Sequence, residues 1–443
     1  MSAFLKQYLT EKFTKILSST AESSKAISLK LLVDWYVDAP QCTTFRINTL
    51  LHDAEDVLPQ IAEELKKRYN LESSQLPSIK VHDTIPECIT IGRLNEAQLD
   101  LIPVPDEVIV DAFCGAAVLR GAHVFAPGVL GMLPDVSVGA KVSVYSDLSS
   151  KCLRGYKKRY EAESKLFVGN GIAMKNRHQL FDGGKPEKGI AVFVTNPVSG
   201  VVMFNSPEQL GVLQNFPSMV CVRTLDPKPG ETVLDMCAAP GNKTTHIAAL
   251  MKDEGILIAI DNPKKIDTIV KNCTNLSIQN CVKAFKGDST KLVSDDEREI
   301  TDGPPFSINT FDKILLDVPC SGLGQRPMFR IRVDKTSLKT FPPLQKKFVR
   351  NAVRLLKPGG HMVYSTCSIL CEENECVVAW ILEKYPEMEL VPSKPHYGGP
   401  GLPDCGLNEE QRHKVQRFGL GTSTEDDTIG FFMAKLRKKP SEI

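Results

Sequence analysis

The sequence lacks any run of about 18 apolar residues, so no transmembrane helix and no membrane partner are expected. It also lacks a CxxC pair, and its thirteen cysteines are odd in number. That argues against a zinc ribbon and against a secreted disulfide framework. No metal is expected, and a reducing, cytoplasmic location fits. The net charge of +1 gives no global field that would mark a polyanionic partner, so local clusters must carry any case for nucleic acid. The first stretch, Met1 to Thr20, is amphipathic and has no apolar signal core. It carries Lys6, Lys12, Lys15 and Glu11 but no arginine, which leaves a mitochondrial transit peptide as the weaker alternative. Neither a GxGxxG fingerprint nor a Walker loop is present, and there is no internal repeat or low-complexity block.

What is present is enough for two or three domains in 443 residues, at roughly 100–200 residues each. Hydrophobic residues at 42% and charged residues at 24% are ordinary for a soluble globular chain. Residues 1–104 read as a mostly helical segment that belongs with the catalytic part. Val57, Leu58, Ile61 and Leu65 fall at helical spacing within Ala54 to Tyr69, and Thr44 to Asn48 reads as a short strand. Residues 105–196 change character. Short strand-like runs at Glu107–Asp111, Lys141–Tyr145 and Lys165–Val168 are punctuated by glycine and proline, the mark of a small β domain. Residues 197–443 alternate strand and helix, which predicts an α/β doubly wound parallel sheet with helices on both faces.

Two apolar runs end on cysteines. Lys313–Leu316 leads into Asp317-Val-Pro-Cys320-Ser-Gly322, and His361–Tyr364 leads into Ser365-Thr-Cys367. Two strand ends of one open sheet can place both thiols at one crevice, and a thiolate is a strong nucleophile. A third strand, Glu231 to Met236, runs into Cys237-Ala238-Ala239-Pro240-Gly241-Asn242-Lys243-Thr244, small residues that let backbone approach a ligand at a helix N-terminus. Asp235, Asp261 and Asp288 stand at three successive strand ends. Any one of them alone could be a helix cap, but an acid after the second strand typically holds ribose hydroxyls. A loop without a phosphate cradle suits an adenosine ligand that carries no diphosphate, and so points to S-adenosyl-L-methionine.

These motifs resemble those of the NOP/Sun-type RNA (cytosine-5) methyltransferases. Asp235–Thr244 is similar to the family's cofactor loop, Asp317–Gly322 to its DxPCSG motif, and Ser365–Ser368 with Glu373-Asn374-Glu375 to its STC and ENE elements. Phe45–Leu50 matches the RxNT element and Ile429–Ala434 the closing GFF strand. Asn242 departs from the pattern, standing where the family usually has a second glycine. The stretches Ala117–Gly128, Val142–Ser146 and Phe167–Gly171 resemble a PUA RNA-binding module. The resemblance therefore implies a Rossmann-like S-adenosylmethionine-dependent methyltransferase with an inserted PUA-type β-barrel. It implies the branch that methylates cytosine at nucleotide 72 in the acceptor stem of tRNA and needs the CCA end.

By the same resemblance Cys367 is the nucleophile and Cys320 serves product release; Asp317, three residues before Cys320 on an extended segment, is expected to face the pyrimidine edge, and Lys243 either to lower a thiol pKa or to stabilise developing charge. The implied cofactor residues are Cys237 to Lys243, Asp261, Asp288 and Asp317, with packing the preferred reading for Cys237. For RNA, Lys151, Arg154, Lys157, Lys158 and Arg159, interleaved with Tyr156 and Tyr160, form the densest basic aromatic cluster. Phosphate contacts and base stacking would explain it, as would a solvated surface. Arg120 lies where PUA modules present a turn to RNA. Gln325-Arg326 reads equally as a strand-holding element or a surface turn, and Arg46 and Asn48 as braces of a sheet edge. A monomer is expected. The rival readings are an NAD-dependent oxidoreductase, which has no use for two strand-end cysteines, and a catalytically dead RNA-binding protein.

Overall fold

A computed structural model describes residues 3–18, 28–183, 187–204, 207, 209–420 and 427–440. Of the amphipathic first stretch, Ala3–Leu17 is a helix, and residues 1–2 and 19–20 lie outside the described residues. Strands β1 (Cys42–Ile47), β2 (Ile79–His82) and β3 (Ile85–Gly92) come first. β4 (Glu107–Asp111), β5 (Val124–Phe125), β6 (Val129–Met132), β7 (Lys141–Asp147), β8 (Lys165–Ala173) and β9 (Ile190–Pro197) follow in the middle of the chain. The last part holds β10 (Gly211–Leu213), β11 (Thr232–Asp235), β12 (Ile256–Asp261), β13 (Val282–Lys286), β14 (Val293–Ser294) and β15 (Phe306–Ser307). It closes with β16 (Phe311–Asp317), β17 (Leu356–Thr366), β18 (Met388–Val391), β19 (Gln416–Phe418) and β20 (Phe431–Lys438).

The mostly helical reading of residues 1–104 needs correction. Helices Ala3–Leu17, Leu29–Val37 and Ala54–Tyr69 are there, but β1, β2 and β3 form a four-stranded sheet with β10, in the order β10-β1-β3-β2. The physical reason is a buried, β-branched sequence such as Cys88-Ile-Thr-Ile91, which suits a pleated sheet covered on both faces better than a helix. Because β10 pairs with β1, the chain leaves this sheet after β3 and returns to it after β9.

The intervening strands form their own six-stranded sheet, ordered β5-β9-β8-β7-β4-β6. No ladder joins β5 to β6 among the described residues, so closure is by chain rather than by hydrogen bonds: the turn Ala126–Gly128 links the two edge strands directly. The helix Ala112–Leu119 packs on the strands, with Ala112, Ala116, Val118 and Leu119 buried. The same hydrophobic cluster takes in Leu5, Phe13 and Tyr36 from the N-terminal helices and Leu323 and Phe329 from the loop after Cys320.

The third sheet runs β13-β12-β11-β16-β17-β20-β18, with β19 added on β20. Strands β13 to β17 are parallel, while β20 runs antiparallel to β17, β18 and β19. The sheet is therefore mixed at one end rather than wholly parallel. Alternate residues face opposite cores. Leu234, Ile258, Ile314 and Leu316 pack under helices Phe341–Leu355 and Glu375–Lys384. Val233, Leu257, Ala259 and Leu315 pack under Phe216–Leu225, Asn242–Leu250 and Ile266–Asn275. Order reverses between β11 and β16, the switch point where such sheets open a crevice beyond their strand ends.

Arg46 fastens the first sheet to the third. It is 1% exposed, and its guanidinium donates to Gln214 Oε1 (2.8 Å), Thr245 Oγ1 (2.8 Å) and the Asn242 carbonyl (3.4 Å). Asn48 donates to the carbonyls of Leu276 (2.9 Å) and Gln209 (3.1 Å). Both residues are braces. Replacing Arg46 with Met keeps most of the stem volume but strands two buried acceptors. The expected cost is about 2–3 kcal/mol, the range for hydrogen bonds from a charged donor. A chemical denaturation midpoint equal to that of the parent protein would contradict the brace.

Candidate active site

The site is built where β11 and β16 part. β16 and β17 are parallel neighbours with Asp317 opposite Ser365, and Ser365 Oγ donates to Asp317 Oδ1 at 2.7 Å. Cys320 and Cys367 follow in the loops just beyond these strand ends, and their Sγ atoms lie 3.4 Å apart. Lys243, in the first turn of the helix after β11, reaches across the switch point and donates to Asp317 Oδ2 at 2.7 Å. The two thiols, the carboxylate and the ammonium thus form one cluster, each partly exposed.

Glu373 holds the two cysteine loops together. This 1% exposed carboxylate accepts from the Ser321 amide (2.8 Å) and Gln345 Nε2 (3.1 Å) through one oxygen, and from Ser368 Oγ (2.6 Å) through the other. Asn374 accepts from Thr366 Oγ1 at 2.5 Å and donates to the Ser368 carbonyl at 2.9 Å. In the sequence this ENE element carries no evident role of its own. Acidic side chains clustered inside an otherwise apolar helix start were the available signal. Gly324 adds a close approach: its amide donates to the Cys367 carbonyl at 2.7 Å, and a Cβ there would meet the Gly430 carbonyl oxygen at 1.9 Å.

The thiols are electrostatically unequal. The hydrogen bond from Cys320 lowers the Cys367 pKa from the ordinary thiol value, against the opposing effects of burial and of the Asp317 charge, and Gln325 and Lys243 add smaller effects in the lowering direction. Cys320 is pushed up by that same hydrogen bond and by burial. Burial disfavours charge on Lys243, but Asp317 prevails and its pKa ends raised, so it stays an ammonium. The arrangement favours ionisation at Cys367 over Cys320 and sets a paired cation beside it.

Two cavities flank this cluster. A crevice of about 810 Å³ is walled by Cys237, Ala239, Asp261, Asp288, Phe348 and Asp317, among others. A cleft of about 370 Å³ lies on the other side, and its walls include Arg120, Ala238, Pro240, Asn242, Lys243 and Gln325. Asp317 lines both. Neither thiol is itself a wall residue of either cavity; Cys367 sits beside Asp317, Lys243 and Gln325, which are, and Cys320 is bonded to Cys367.

Most of the expected cofactor residues gather here, with three adjustments. Gly241 lines neither cavity; it is the N-cap, buried against Ile269 at φ +110°, and so takes the left-handed turn the loop requires. Asn242 is already in the helix and needs no left-handed tolerance, which explains why the second glycine is dispensable. Asp235 is not a wall residue at all. It is 1% exposed beneath the loop, accepts from Thr244 Oγ1 at 2.8 Å, and burial raises its pKa to about 7. Asp261 accepts from the amides of Ala239 (2.9 Å) and Asn262 (2.7 Å), and Asp288 from Thr290. Cys237 is pushed well up by burial, which fits packing rather than chemistry.

The basic aromatic cluster lies away from this centre, in the loop between β7 and β8, and the structure divides it. Lys151, Lys157 and Lys158 are exposed. Arg154 spends its guanidinium on the carbonyls of Pro127 (3.2 Å) and Val129 (2.9 Å), and Arg159 donates to the Pro105 carbonyl at 3.2 Å. Tyr160 is 7% exposed and packs edge-on against Tyr156, so its ring is not available for base stacking. Arg120 donates to the Pro327 carbonyl at 2.7 Å and faces the cleft. Arg326 is no surface turn. It is 2% exposed, lies over Trp35 and donates to the Thr428 carbonyl at 3.0 Å, while Gln325 faces Cys367.

Residues 222–437 match a family model described as 16S rRNA methyltransferase RsmB/F. The tRNA (cytosine(72)-C(5))-methyltransferase NSUN6 of Mus musculus is 38% identical over 98% of this chain and 95% of its own length. The chain belongs to the NOP/Sun-type RNA (cytosine-5) methyltransferases. The human NSUN6 is 39% identical over 98% of this chain and 97% of its own length. The crystal structure of NSun6 from Pyrococcus horikoshii with SFG is 28% identical, covers 98% of this chain and 97% of that one, and superposes with a TM-score of 0.70.

The cofactor of the family is S-adenosyl-L-methionine, and the larger crevice fits it. Carboxylates at the ends of β12 and β13 suit ribose hydroxyls and an adenine amine, Phe348 and Pro319 suit an aromatic ring, and no glycine-rich phosphate cradle is present. Membership in the family sets aside the oxidoreductase reading and that of an inert RNA-binding protein.

The inequality of the thiols is testable without RNA. Alkylation of Cys367 by iodoacetamide, followed by mass spectrometry, should accelerate with pH through a midpoint below the ordinary thiol value. Cys320→Ala removes the hydrogen bond that favours the ionised form of Cys367, so the midpoint should rise. An unchanged or lower midpoint would contradict the assigned hydrogen bond.

Proposed function

We propose that this protein methylates carbon 5 of the cytosine at nucleotide 72 in the acceptor stem of tRNA, and that it reads the CCA end. The observation that carries the reading is the pair of thiols 3.4 Å apart beside the Lys243–Asp317 ion pair, in a chain similar to NSUN6 over almost its whole length. Carbon 5 of cytosine is a poor nucleophile until a thiolate adds at carbon 6. Cys367, the thiol with the lowered pKa, makes that addition. Asp317 accepts a hydrogen bond from the exocyclic amine, and Lys243 stabilises the charge that develops on the ring. The cofactor supplies the methyl group. Once the Cys367 sulfur is bonded to carbon 6, Cys320 releases its S–H proton to solvent, the resulting thiolate takes the proton from carbon 5, and elimination returns Cys367 as a thiolate.

The unit from residue 105 to 196 acts in this reading as a PUA RNA-binding domain, between a segment of residues 1–104 and a catalytic domain of residues 197–443. Two features support it: a curled sheet whose edge strands meet at one short turn, and Arg120 at the rim of the cleft. Lys151, Lys157 and Lys158 contact phosphates. Arg154 and Arg159 shape the loop that presents them. No helix among the described residues is long and apolar enough to cross a membrane. The enzyme works as a cytoplasmic monomer.

Incubation with S-adenosylmethionine and bulk tRNA, followed by bisulfite sequencing, should place the new methyl group at nucleotide 72. The double change of Lys157 and Lys158 to Ala should raise KM for tRNA about tenfold and flatten the salt dependence of binding, with kcat little altered. Methylation of other positions only, or an unaltered KM and salt slope, would reject the substrate or the grip respectively.

A further inference from the structure

Three thiols take no part in the chemistry above. Cys371 opens the turn that follows the Cys367 loop, Cys376 lies in the helix Glu375–Lys384, and Cys405 arrives on the loop beyond β18. Their Sγ atoms all lie within 4.8 Å of one another. Cys371 is 0% and Cys405 3% exposed, while Cys376 is partly exposed. The sequence alone predicts no metal, because no CxxC pair or histidine stands at ligand spacing. The fold supplies the third sulfur from a separate segment.

A single buried cysteine is an ordinary small core residue. Three converging sulfurs are a different matter, because soft thiolates at this spacing are a donor set for a soft metal. Tetrahedral zinc, with Zn–S of about 2.3 Å, holds its sulfurs about 3.8 Å apart. The observed cluster needs at most a contraction of about 1 Å to reach that. An oxygen stands beside it as well: Glu372 Oε2 is 3.7 Å from Cys371 Sγ.

We propose that Cys371, Cys376 and Cys405 bind one structural zinc ion, with the Glu372 carboxylate, which stands beside Cys371 but outside the three-sulfur group, turning in as the fourth ligand. Binding exchanges three S–H protons, released to solvent, for three metal–sulfur bonds, with no change of oxidation state. The consequence lies in position. The turn that carries Cys371 also carries Glu373 and Asn374, which hold the Cys320 and Cys367 loops. A metal there pins that turn from behind. This inference does not depend on the RNA substrate.

The test measures metal in the full chain purified under reducing conditions and dialysed against a zinc buffer. About one zinc per chain is expected by elemental mass spectrometry. Cys376→Ser, at the partly exposed position, should lower the content at least about tenfold, whereas Cys273→Ser, at a buried cysteine elsewhere, should leave it unchanged. Chelator-stripped parent protein reloaded with Co(II) should show a thiolate-to-metal charge-transfer band, a readout that needs no variant. Three results would each overturn the site: zinc below about a tenth of an ion per chain with no cobalt–thiolate band, full zinc in the Cys376 variant, or a disulfide joining two of the three cysteines in the reduced preparation.

Discussion

The parallel register between β16 and β17 is the constraint on which the rest depends. It sets Asp317 opposite Ser365, so the two strands end level and both following loops turn out at the same height. A shift of one residue would send each side chain to the other face of the sheet. Asp317 would then leave Lys243, and the loops would no longer bring two sulfurs to 3.4 Å. The register is fixed from both sides by apolar residues that alternate between two cores, and at the strand ends by Glu373, which is bonded to both loops.

From that geometry the division of labour follows. Two chemically identical side chains at one site can do two jobs only if their protonation differs. The shared hydrogen bond makes one thiol the donor and the other the acceptor, lowering one pKa and raising the other. Lys243 adds positive charge beside the acceptor without being free to titrate, since Asp317 holds it protonated. Asp317 lines both the crevice and the cleft opposite, so in the proposed reaction one residue lies within reach of both partners of the methyl transfer.

Much of this was legible in the chain. Apolar runs that stop on Asp317 and on Cys367 announce buried parallel strands, because such strands lack the alternation of a half-exposed one. The order of the motifs, added to a family resemblance, predicted the cofactor loop and both cysteines. What stayed hidden was what depends on contacts between distant segments. β2 was missed because a short edge strand carries a weak local signal, β3 because a strand buried on both faces lacks the alternation of a half-exposed one, and β10 because its three residues become a strand only by pairing with β1. Tyr160 reads as part of an RNA surface until the fold turns it inward, whereas Arg154 stays exposed and gives one guanidinium nitrogen to carbonyls. Asp235 looked equivalent to Asp261 at a strand end, yet burial rather than sequence position separates them. The grouping of Cys405 with Cys371 and Cys376 has no sequence signature at all.

The separation of roles between the two thiols is tested most directly by trapping. Labelled tRNA is incubated with S-adenosylmethionine and either Cys320→Ala or Cys367→Ala, then run on a denaturing protein gel. The expected result is a slow, covalent protein–RNA band for Cys320→Ala, because attack and methylation proceed while elimination fails, and no band for Cys367→Ala. A band for Cys367→Ala alone, or two active variants with no band in either, would contradict the account.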